Sequence, residues 1–395
     1  MAKRRSNGEG CIYKEQRSGR WVGKFEIGHD SKGNRRFKTC RAKTEREVKQ
    51  LLKDLMDKHR AGINVTTNAI KVGDFFEDWF YKNVVNNLRL STSQSYEMII
   101  RRHIKPQIGN IPLAELSRED VRNFYNFLFA DGRLNGKGGL APKTVENIHL
   151  VLSSGINYAL NEGLIIKNPL LTVKLRREVK KEIEVFSREE QQKIIAECPN
   201  HYYGMAIKFD FYTGLRAGEL LGLTWDCINF DKNTVRVNKQ VQRNKNFSHK
   251  ADTKTLLDFV YDTKTKTSTR TIKVLPQLMK DLEKYKNEQD KIRKKLGSDY
   301  YRFNLVFPRQ DGYFTDTGTF LDNFARIQKK LDIPHRTVHA IRHTFATRAL
   351  ESGVHIKVVS ELLGHASIQI TLDIYGHVLQ DFAEQELTKL EGIYN

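Results

Sequence analysis

The sequence predicts a multidomain α+β protein with three parts: a small N-terminal β-sheet with one helix, a helical bundle, and a mostly α-helical domain with a small antiparallel sheet. Near the N-terminus apolar residues alternate with charged ones, which is typical of strands. Four stripes of apolar residues at helical spacing follow, and the rest of the chain shows both the alternating and the helical pattern. The 395 residues suffice for two or three domains, each with its own core. We place these domains at residues 1–65, 66–173 and 187–395, with a linker at 174–186.

The N-terminal region has the pattern of a β-sheet backed by a helix. Apolar and polar residues alternate over Trp21–Ile27, and a second run, Arg35–Cys40, follows a turn-like Ser-Lys-Gly-Asn segment. A shorter strand is expected at Cys11–Lys14. Thr44 and Glu47 then form a capping box ahead of leucines at helical spacing. This region is therefore predicted to be a three-stranded sheet with one helix.

Positive charge is concentrated in this region. The first sixty residues carry 18 Lys and Arg against 8 Asp and Glu, which is half of the net charge of +20. Such an excess favours a polyanionic partner, because each phosphate that Lys or Arg neutralises releases counterions. We expect the sheet to present a basic face that could enter a DNA major groove, with an ordinary solvated face as the alternative. The candidate residues are Lys14, Arg20, Lys24, Arg36 and Lys38.

The composition excludes several classes of protein. No apolar run approaches the ~20 residues that span a bilayer, and the N-terminus lacks the apolar core of a signal peptide. The four cysteines are scattered, which argues against a disulfide framework or a cysteine-based zinc site. We therefore expect a soluble protein inside the cell. Composition alone leaves DNA, RNA and an anionic membrane surface open as partners.

Four amphipathic stripes predict the helical bundle. They lie at Val72–Phe80, Tyr96–His103, Val121–Phe129 and Val145–Leu160. A highly charged stretch without apolar periodicity follows and predicts the linker. The last domain is expected to contain helices at Glu189–Glu197 and Gly204–Tyr212, strands at Thr234–Arg243 and Arg270–Val274, and helices from there to the end.

Two short motifs indicate a phosphate site. His339 and Arg342 are three residues apart and share a helical face, where a guanidinium fork and an imidazole can hold phosphate oxygens. Arg216 follows a glycine turn at a predicted helix start, where the helix dipole also favours an anion. A metal site at His339 and His343 is the weaker alternative, because Ala340 occupies the position where a zinc protease has Glu.

A third segment supplies groups for chemistry at a phosphodiester. It contains His365 after a Leu-Gly turn and Tyr375 ten residues later. A phenol is a poor nucleophile at neutral pH, but neighbouring arginines would favour the phenolate. Lys264 and Lys266, in a predicted hairpin tip before Arg270, are candidates for the general acid that protonates the leaving oxygen.

The order and spacing of these motifs resemble the tyrosine recombinases of the phage-integrase and conjugative-transposon type. The resemblance covers nearly the whole chain and implies an arm-binding sheet, a core-binding bundle and a catalytic domain. It implies catalytic roles for Arg216, His339, Arg342, His365 and Tyr375, with Glu219 in support. Counting back from Arg270 favours Lys264 as the general acid. Because Thr263 stands where related integrases often have proline, Lys266 remains the alternative.

The resemblance also implies a reaction and its partners. Tyrosine attack forms a 3′-phosphotyrosyl link, and strand exchange passes through a Holliday junction in a homo-tetramer, without ATP, metal or other cofactor. Expected partners are double-stranded DNA with core and arm sites, a small directionality factor (excisionase) and a host DNA-bending protein in the bacterial cytoplasm and nucleoid. A helix at Gln380–Leu390 would dock on a neighbouring subunit or on its own domain. The alternatives are a type IB topoisomerase and a catalytically silent DNA-binding regulator.

Overall fold

A computed structural model gives the fold of most of the chain. The described residues are 10–16, 18–29, 34–60, 70–173, 175–176, 184–245, 247, 255–261 and 269–376. The chain divides into two compact units, Met1–Lys180 and Lys181–Asn395. Within the described ranges, no helix has the length and apolar character needed to cross a membrane.

The N-terminal sheet has the predicted strands. β1 (Cys11–Lys14), β2 (Trp21–His29) and β3 (Arg35–Ala42) are antiparallel and lie in that order. Helix α1 (Glu45–Arg60) covers one face, where Gly23 permits the close approach of the helix because a Cβ there would lie 3.3 Å from the Leu52 side chain.

The predicted capping box begins α1. The Thr44 backbone N–H donates to Glu47 Oε2 over 3.2 Å, and the Glu47 N–H donates to Thr44 Oγ1 over 3.3 Å. Two of the free N–H groups at the helix start are satisfied in this way.

Four helices follow where the apolar stripes predict them. They are α2 (Val72–Trp79), α3 (Leu90–Ile99), α4 (Arg118–Asp131) and α5 (Pro142–Asn161). α2 continues through a π-helical turn, Phe80–Val84, into Val85–Asn87, and α3 continues through Ile100–Ile104 into Lys105–Ile108. A 3₁₀ turn lies at Leu113–Glu115.

The centre of the bundle is closely packed. Phe76 is fully buried, and a Cβ at Gly155 would lie 2.3 Å from its ring. The aromatic stripe of α2 is therefore core, because even one methyl group on α5 would displace it.

The second unit is mostly helical with two small sheets. Its helices are α6 (Arg188–Glu197), α7 (Gly204–Thr213), α8 (Ala217–Leu221), α9 (Pro276–Leu296), α10 (Thr317–Lys330), α11 (His339–Glu351) and α12 (Ile356–Leu363), and residues 368–376 are also helical. Short 3₁₀ turns lie at Cys198–Asn200, Trp225–Cys227 and Gly297–Asp299. β4 (Ile228–Asn229), β5 (Thr234–Val237) and β8 (Arg270–Lys273) form one antiparallel sheet, and β6 (Lys239–Lys245) pairs with β7 (Thr255–Tyr261).

The prediction of a single strand at Thr234–Arg243 is wrong. The chain changes sheets at Asn238: β5 pairs with β4 and β8, whereas β6 pairs with β7, a strand that the sequence analysis did not predict. Val235, Val237 and Val241 are all buried and keep one period-two pattern across the break. The alternation of buried and less buried residues therefore continues through the point where the chain passes from one sheet to the other.

The C-terminal end of the predicted linker belongs to the second unit's core. Phe186 is fully buried against Phe211 and Phe324, and its backbone N–H donates to Thr344 Oγ1 over 2.9 Å. A single aromatic residue after a long charged run gives no periodic signal, so the sequence pattern alone places Phe186 in the linker.

Helix α7 occupies the middle of this unit. It is buried nearly all round, including Ile207, Phe209 and Phe211, as expected for a helix enclosed by other elements. α7 ends three residues before Arg216, and it packs against α11, which carries His339 and Arg342. The core therefore fixes the relative positions of the two predicted phosphate-binding motifs.

Candidate active site

Two helices of the site end at glycines in the left-handed conformation. Gly214 ends α7 with φ +60°, and Gly364 ends α12 with φ +64°. An added Cβ would lie 2.5 Å from the Phe345 ring at Gly214 and 2.7 Å from the Arg270 guanidinium at Gly364. Both positions therefore require glycine for conformation and for space.

These turns hold the two predicted arginines. Arg342, 2% exposed, donates to the Gly214 carbonyl over 2.9 Å and to the Leu363 carbonyl over 2.7 Å. Arg216 donates to the Gly364 carbonyl over 3.2 Å, and its side chain is 43% exposed. The structure thus brings together three motifs that are far apart in the sequence. α8, which begins directly after Arg216, has only five residues. The positive charge around Arg216 therefore comes from the side chains rather than from the dipole of a long helix.

Glu219 links Arg216 to a further arginine. Its Oε1 accepts from Arg216 over 2.8 Å, and its Oε2 accepts from Arg270 over 2.8 Å. Arg270 also donates to the Leu362 carbonyl over 2.8 Å. Burial raises the pKa of Glu219, but the hydrogen bond and charge of Arg270, together with the charge of Arg216, lower it to about 2. Glu219 is therefore an ionised, buried carboxylate between two cations.

The two predicted histidines lie in the field of these arginines. His339 begins α11 and is exposed, and its pKa is lowered by partial burial and by Arg342 and Arg216. His365 donates to or accepts from Thr371 Oγ1 at 2.8 Å, and burial followed by the charges of Arg342 and Arg216 lowers its pKa to about 4. Both imidazoles are thus neutral near pH 7 in the absence of an anion.

Tyr375 lies on the last described helix and is almost completely buried. It is 1% exposed and packs with Ala346 and Leu363, and its hydroxyl lies 2.7 Å from His343 Nδ1. Burial raises the pKa of the phenol to about 12, with a smaller opposing effect of Arg342. The tyrosine is therefore held as a neutral phenol close to Arg342.

The comparisons with known proteins agree with this geometry. Residues 184–381 match the Phage integrase family, and residues 71–129 match the Phage integrase, N-terminal SAM-like domain. A tyrosine recombinase XerC-like protein of Caldanaerobacter subterraneus subsp. tengcongensis is 32% identical over 368 residues, 89% of this chain and 91% of the relative. The chain belongs to the phage integrase family.

Solved structures show the same fold for the integrase. A Tn1549 transposon integrase in complex with a circular intermediate DNA is 22% identical with a TM-score of 0.64, covering 82% of this chain and 100% of that one. A lambda integrase tetramer bound to a Holliday junction is 18% identical with a TM-score of 0.54, covering 90% and 95%. The fold class and the tyrosine-recombinase activity, which cuts and rejoins DNA, are confirmed, and neither the topoisomerase nor the silent regulator is favoured.

The integrase carries three site residues that the sequence analysis did not assign. Arg270 was used there only as a landmark, and His343 only as one end of a metal pair; here they bind Glu219 and Tyr375. Asp210, in the last turn of α7, is fully buried near Arg342 and the Leu215 backbone N–H.

Three remaining predictions for the integrase concern the general-acid lysine, the C-terminal helix and the metal pair. Lys264, Lys266 and the helix predicted at Gln380–Leu390 lie outside the described residues. The His339 and His343 rings lie 4.6 Å apart, but within the described part no group of three or more His, Cys, Asp or Glu is arranged to hold a metal ion, and His343 hydrogen-bonds to Tyr375.

The five basic residues predicted for the N-terminal sheet do not share one strand face. Lys38 pairs with Phe25, and Lys14 with Trp21, on the side of α1, whereas Lys24 pairs with Cys11 and Thr39 on the other side. Arg36 has the same strand parity as Lys38, and Arg20 precedes β2. The prediction of a single face is wrong because the antiparallel register places these positions on both sides. Their part in DNA binding stays a prediction.

The face opposite α1 carries a different set of side chains. Tyr13 and Phe37 are 47% and 44% exposed, and the Lys24 ammonium lies 4.0 Å from the centre of the Phe37 ring. Arg41, opposite Val22, is exposed on the same face. Exposed aromatic rings interleaved with cations are typical of surfaces that bind nucleic acid.

The integrase should lose stability in mild acid because of its site histidines. Burial lowers the pKa of His343 and of His365 to about 4, below the ordinary value of 6.5. Below pH 6.5 the unfolded chain therefore binds protons that the folded chain does not, so stability falls between pH 6.5 and about 4. Thermal unfolding midpoints from pH 7.5 to 5 should decrease less steeply in His365→Gln than in the parent. An equal slope in both proteins would contradict the assignment, and the exposed His335→Gln serves as control.

Proposed function

We propose that this enzyme is a site-specific DNA integrase that integrates and excises a mobile element with Tyr375 as its nucleophile. The observation that carries the proposal is the meeting of Arg216 and Arg342 at the Gly364 turn, beside His365 and the buried Tyr375. Each guanidinium group can donate two parallel hydrogen bonds to phosphate oxygens, and two such groups at one position match the second negative charge that a phosphodiester gains during attack.

Each residue then has a defined part in the reaction. Arg216 and Arg342 bind the scissile phosphate and stabilise the charge that develops on it, with hydrogen-bond donation from His339 and His365. The Tyr375 oxygen attacks phosphorus and forms a 3′-phosphotyrosyl bond, while the bond to the 5′ oxygen breaks and Lys264 protonates that oxygen. The 5′-hydroxyl of a partner strand then attacks the phosphotyrosine and reverses the step.

The domain boundaries from the sequence belong to this proposal. Residues 1–65 would bind arm-type sites, and residues 66–173 and 187–395 would each bind the core site, largely through phosphate contacts. A homo-tetramer on two core sites, passing through a Holliday junction, would carry out the exchange. The lambda integrase tetramer bound to a Holliday junction supports this assembly, since the two chains share a fold.

The reaction also requires partners beyond the enzyme. We propose a small excisionase that sets the direction of recombination and a host protein that bends DNA between arm and core sites. The substrate would be chromosomal DNA, which places the enzyme in the bacterial cytoplasm at the nucleoid.

Trapping the covalent intermediate tests the proposed function. The full-length enzyme is incubated with a pool of nicked duplexes of random sequence, in which cleavage releases a short strand that cannot religate. We expect protein–DNA adducts that resist detergent, carry a 3′-phosphotyrosyl link and share a core sequence on sequencing. Absence of adducts, or a 5′ linkage, would contradict the mechanism.

The selected core sequence then separates recombination from relaxation. Two copies on separate molecules, with the flanking arm sequence present, should yield recombinant products. Relaxation of a supercoiled plasmid without recombinants would instead indicate a topoisomerase.

A further inference from the structure

The phenol of Tyr375 has a well-defined partner inside the protein. Its hydroxyl lies 2.7 Å from His343 Nδ1, and the two ring centres are 5.7 Å apart. Within the described residues, the hydrogen-bond partner of this hydroxyl is His343. Because Tyr375 is 1% exposed, bulk water has almost no access to the phenolic proton.

That proton must leave when Tyr375 attacks a phosphate. Burial raises the phenol's pKa to about 12, so the tyrosine does not ionise in advance. Burial, followed by the charges of His339 and Arg342, lowers the pKa of His343 to about 4, so this imidazole is neutral and has a free lone pair. Complete proton transfer from Tyr375 to His343 is therefore very unfavourable in the resting enzyme. The proton has to move as the new bond to phosphorus forms.

We propose that His343 is a further catalytic residue, the general base for Tyr375. With its own proton on Nε2, His343 Nδ1 accepts the phenolic proton while the bond between the Tyr375 oxygen and phosphorus forms and the bond to the 5′ oxygen breaks. In rejoining, imidazolium His343 returns the proton to the departing phenolate. The bound phosphate makes this transfer easier, because a nearby anion favours the imidazolium. The inference rests on the proposed role of Tyr375 as nucleophile.

The other histidines of the site are less suited to this role. His339 lies one helical turn before His343, with ring centres 4.6 Å apart, but it is exposed and no hydrogen bond joins it to Tyr375. His365 Nδ1 is engaged by Thr371 Oγ1. These two imidazoles are placed near the arginines, where a phosphate would bind, whereas His343 is hydrogen-bonded to the nucleophile.

The test compares single-turnover adduct formation by the full-length parent, His343→Gln and the surface control His335→Gln. Glutamine keeps a hydrogen-bond acceptor for Tyr375 but cannot take up a proton. We expect His343→Gln to bind the nicked duplex as the parent does and to form adduct about 10²–10⁴-fold more slowly. Its rate should keep rising with pH, because hydroxide must then remove the proton, whereas the parent's rate should level off. His335→Gln should match the parent.

Two further measurements distinguish a base from a structural contact. A substrate with sulfur at the 5′ bridging position needs no protonation of its leaving group, so it should rescue a missing acid but not His343→Gln. Imidazole in the buffer should partly restore His343→Ala and have no effect on Tyr375→Phe. The inference is overturned if His343→Gln stays within threefold of the parent with the same pH profile, or if the sulfur substrate restores it. If the parent itself forms no adduct, the proposed function fails instead.

Discussion

Replacing Tyr375 by phenylalanine is expected to abolish the covalent adduct while leaving the fold and DNA binding intact. The ring packs among Ala346, Leu350, Val359 and Leu363, and all of these contacts are apolar, so phenylalanine fits the same space. The loss is one hydrogen bond to His343, with a cost of about 1 kcal/mol. The chemical consequence is absolute, because no oxygen remains at this position to attack phosphorus.

The helical bundle offers a matched control for this variant. Tyr125 is 4% exposed, and its hydroxyl lies 2.6 Å from His149 Nδ1, so it is also a buried tyrosine paired with a histidine. Tyr125→Phe should lose a similar amount of stability and form adduct at the parent rate. Adducts are counted as protein bands shifted by labelled DNA on a denaturing gel. An adduct with Tyr375→Phe at the parent level, or its loss with Tyr125→Phe, would remove Tyr375 from its assigned role.

The sequence predicted most of the secondary structure because most elements bury one face. Alternation gave β1, β2 and β3, and apolar stripes gave the four helices of the bundle. The change of sheet at Asn238 could not be predicted, since a period-two pattern records burial but not the identity of the pairing strand. The faces of the basic residues in β1–β3 depend on register in the same way.

The site was predictable where its residues form short local motifs. Arg216 and the His339–Arg342 pair each belong to such a motif, and the structure brings them together. Arg270 and His343 were assigned no contact with Glu219 or Tyr375, because those contacts come from tertiary packing. The available signal for Arg270 was a cation at the first position of a short predicted strand, and this pattern is too common in surface strands to be informative alone.

Replacing Glu219 by glutamine is expected to lower both the stability and the activity of the integrase. The carboxylate is 8% exposed and holds Arg216 and Arg270 at 2.8 Å each. Removing its charge leaves two guanidinium groups close together without a counter-ion, and breaking a buried ion pair in this way costs about 3–5 kcal/mol. Since Arg216 would lose the contact that orients it toward the phosphate, we expect adduct formation to fall about 100-fold or more.

The pH dependence of this loss follows from the pKa of Glu219. The folded-state pKa, about 2, lies below the ordinary value of 4.5, so the carboxylate stabilises the fold fully above pH 4.5 and this contribution disappears as the pH falls toward 2. The difference in the free energy of unfolding between the parent and Glu219→Gln should therefore be largest at neutral pH and decrease between pH 4.5 and 2. Urea unfolding at pH 7 and at pH 3 measures it.

Two variants separate this effect from a general cost of removing acidic side chains. Glu288 forms an exposed pair with Lys291, so Glu288→Gln should change stability by less than about 1 kcal/mol. Asp210 is more deeply buried than Glu219, and burial raises its pKa well above the ordinary value, whereas the pKa of Glu219 is lowered. A carboxyl with a raised folded-state pKa stabilises only at low pH, so Asp210→Asn should cause no loss at pH 7. If Asp210→Asn and Glu219→Gln were equally destabilising, the cost would come from burial of a polar group rather than from the loss of charge between Arg216 and Arg270.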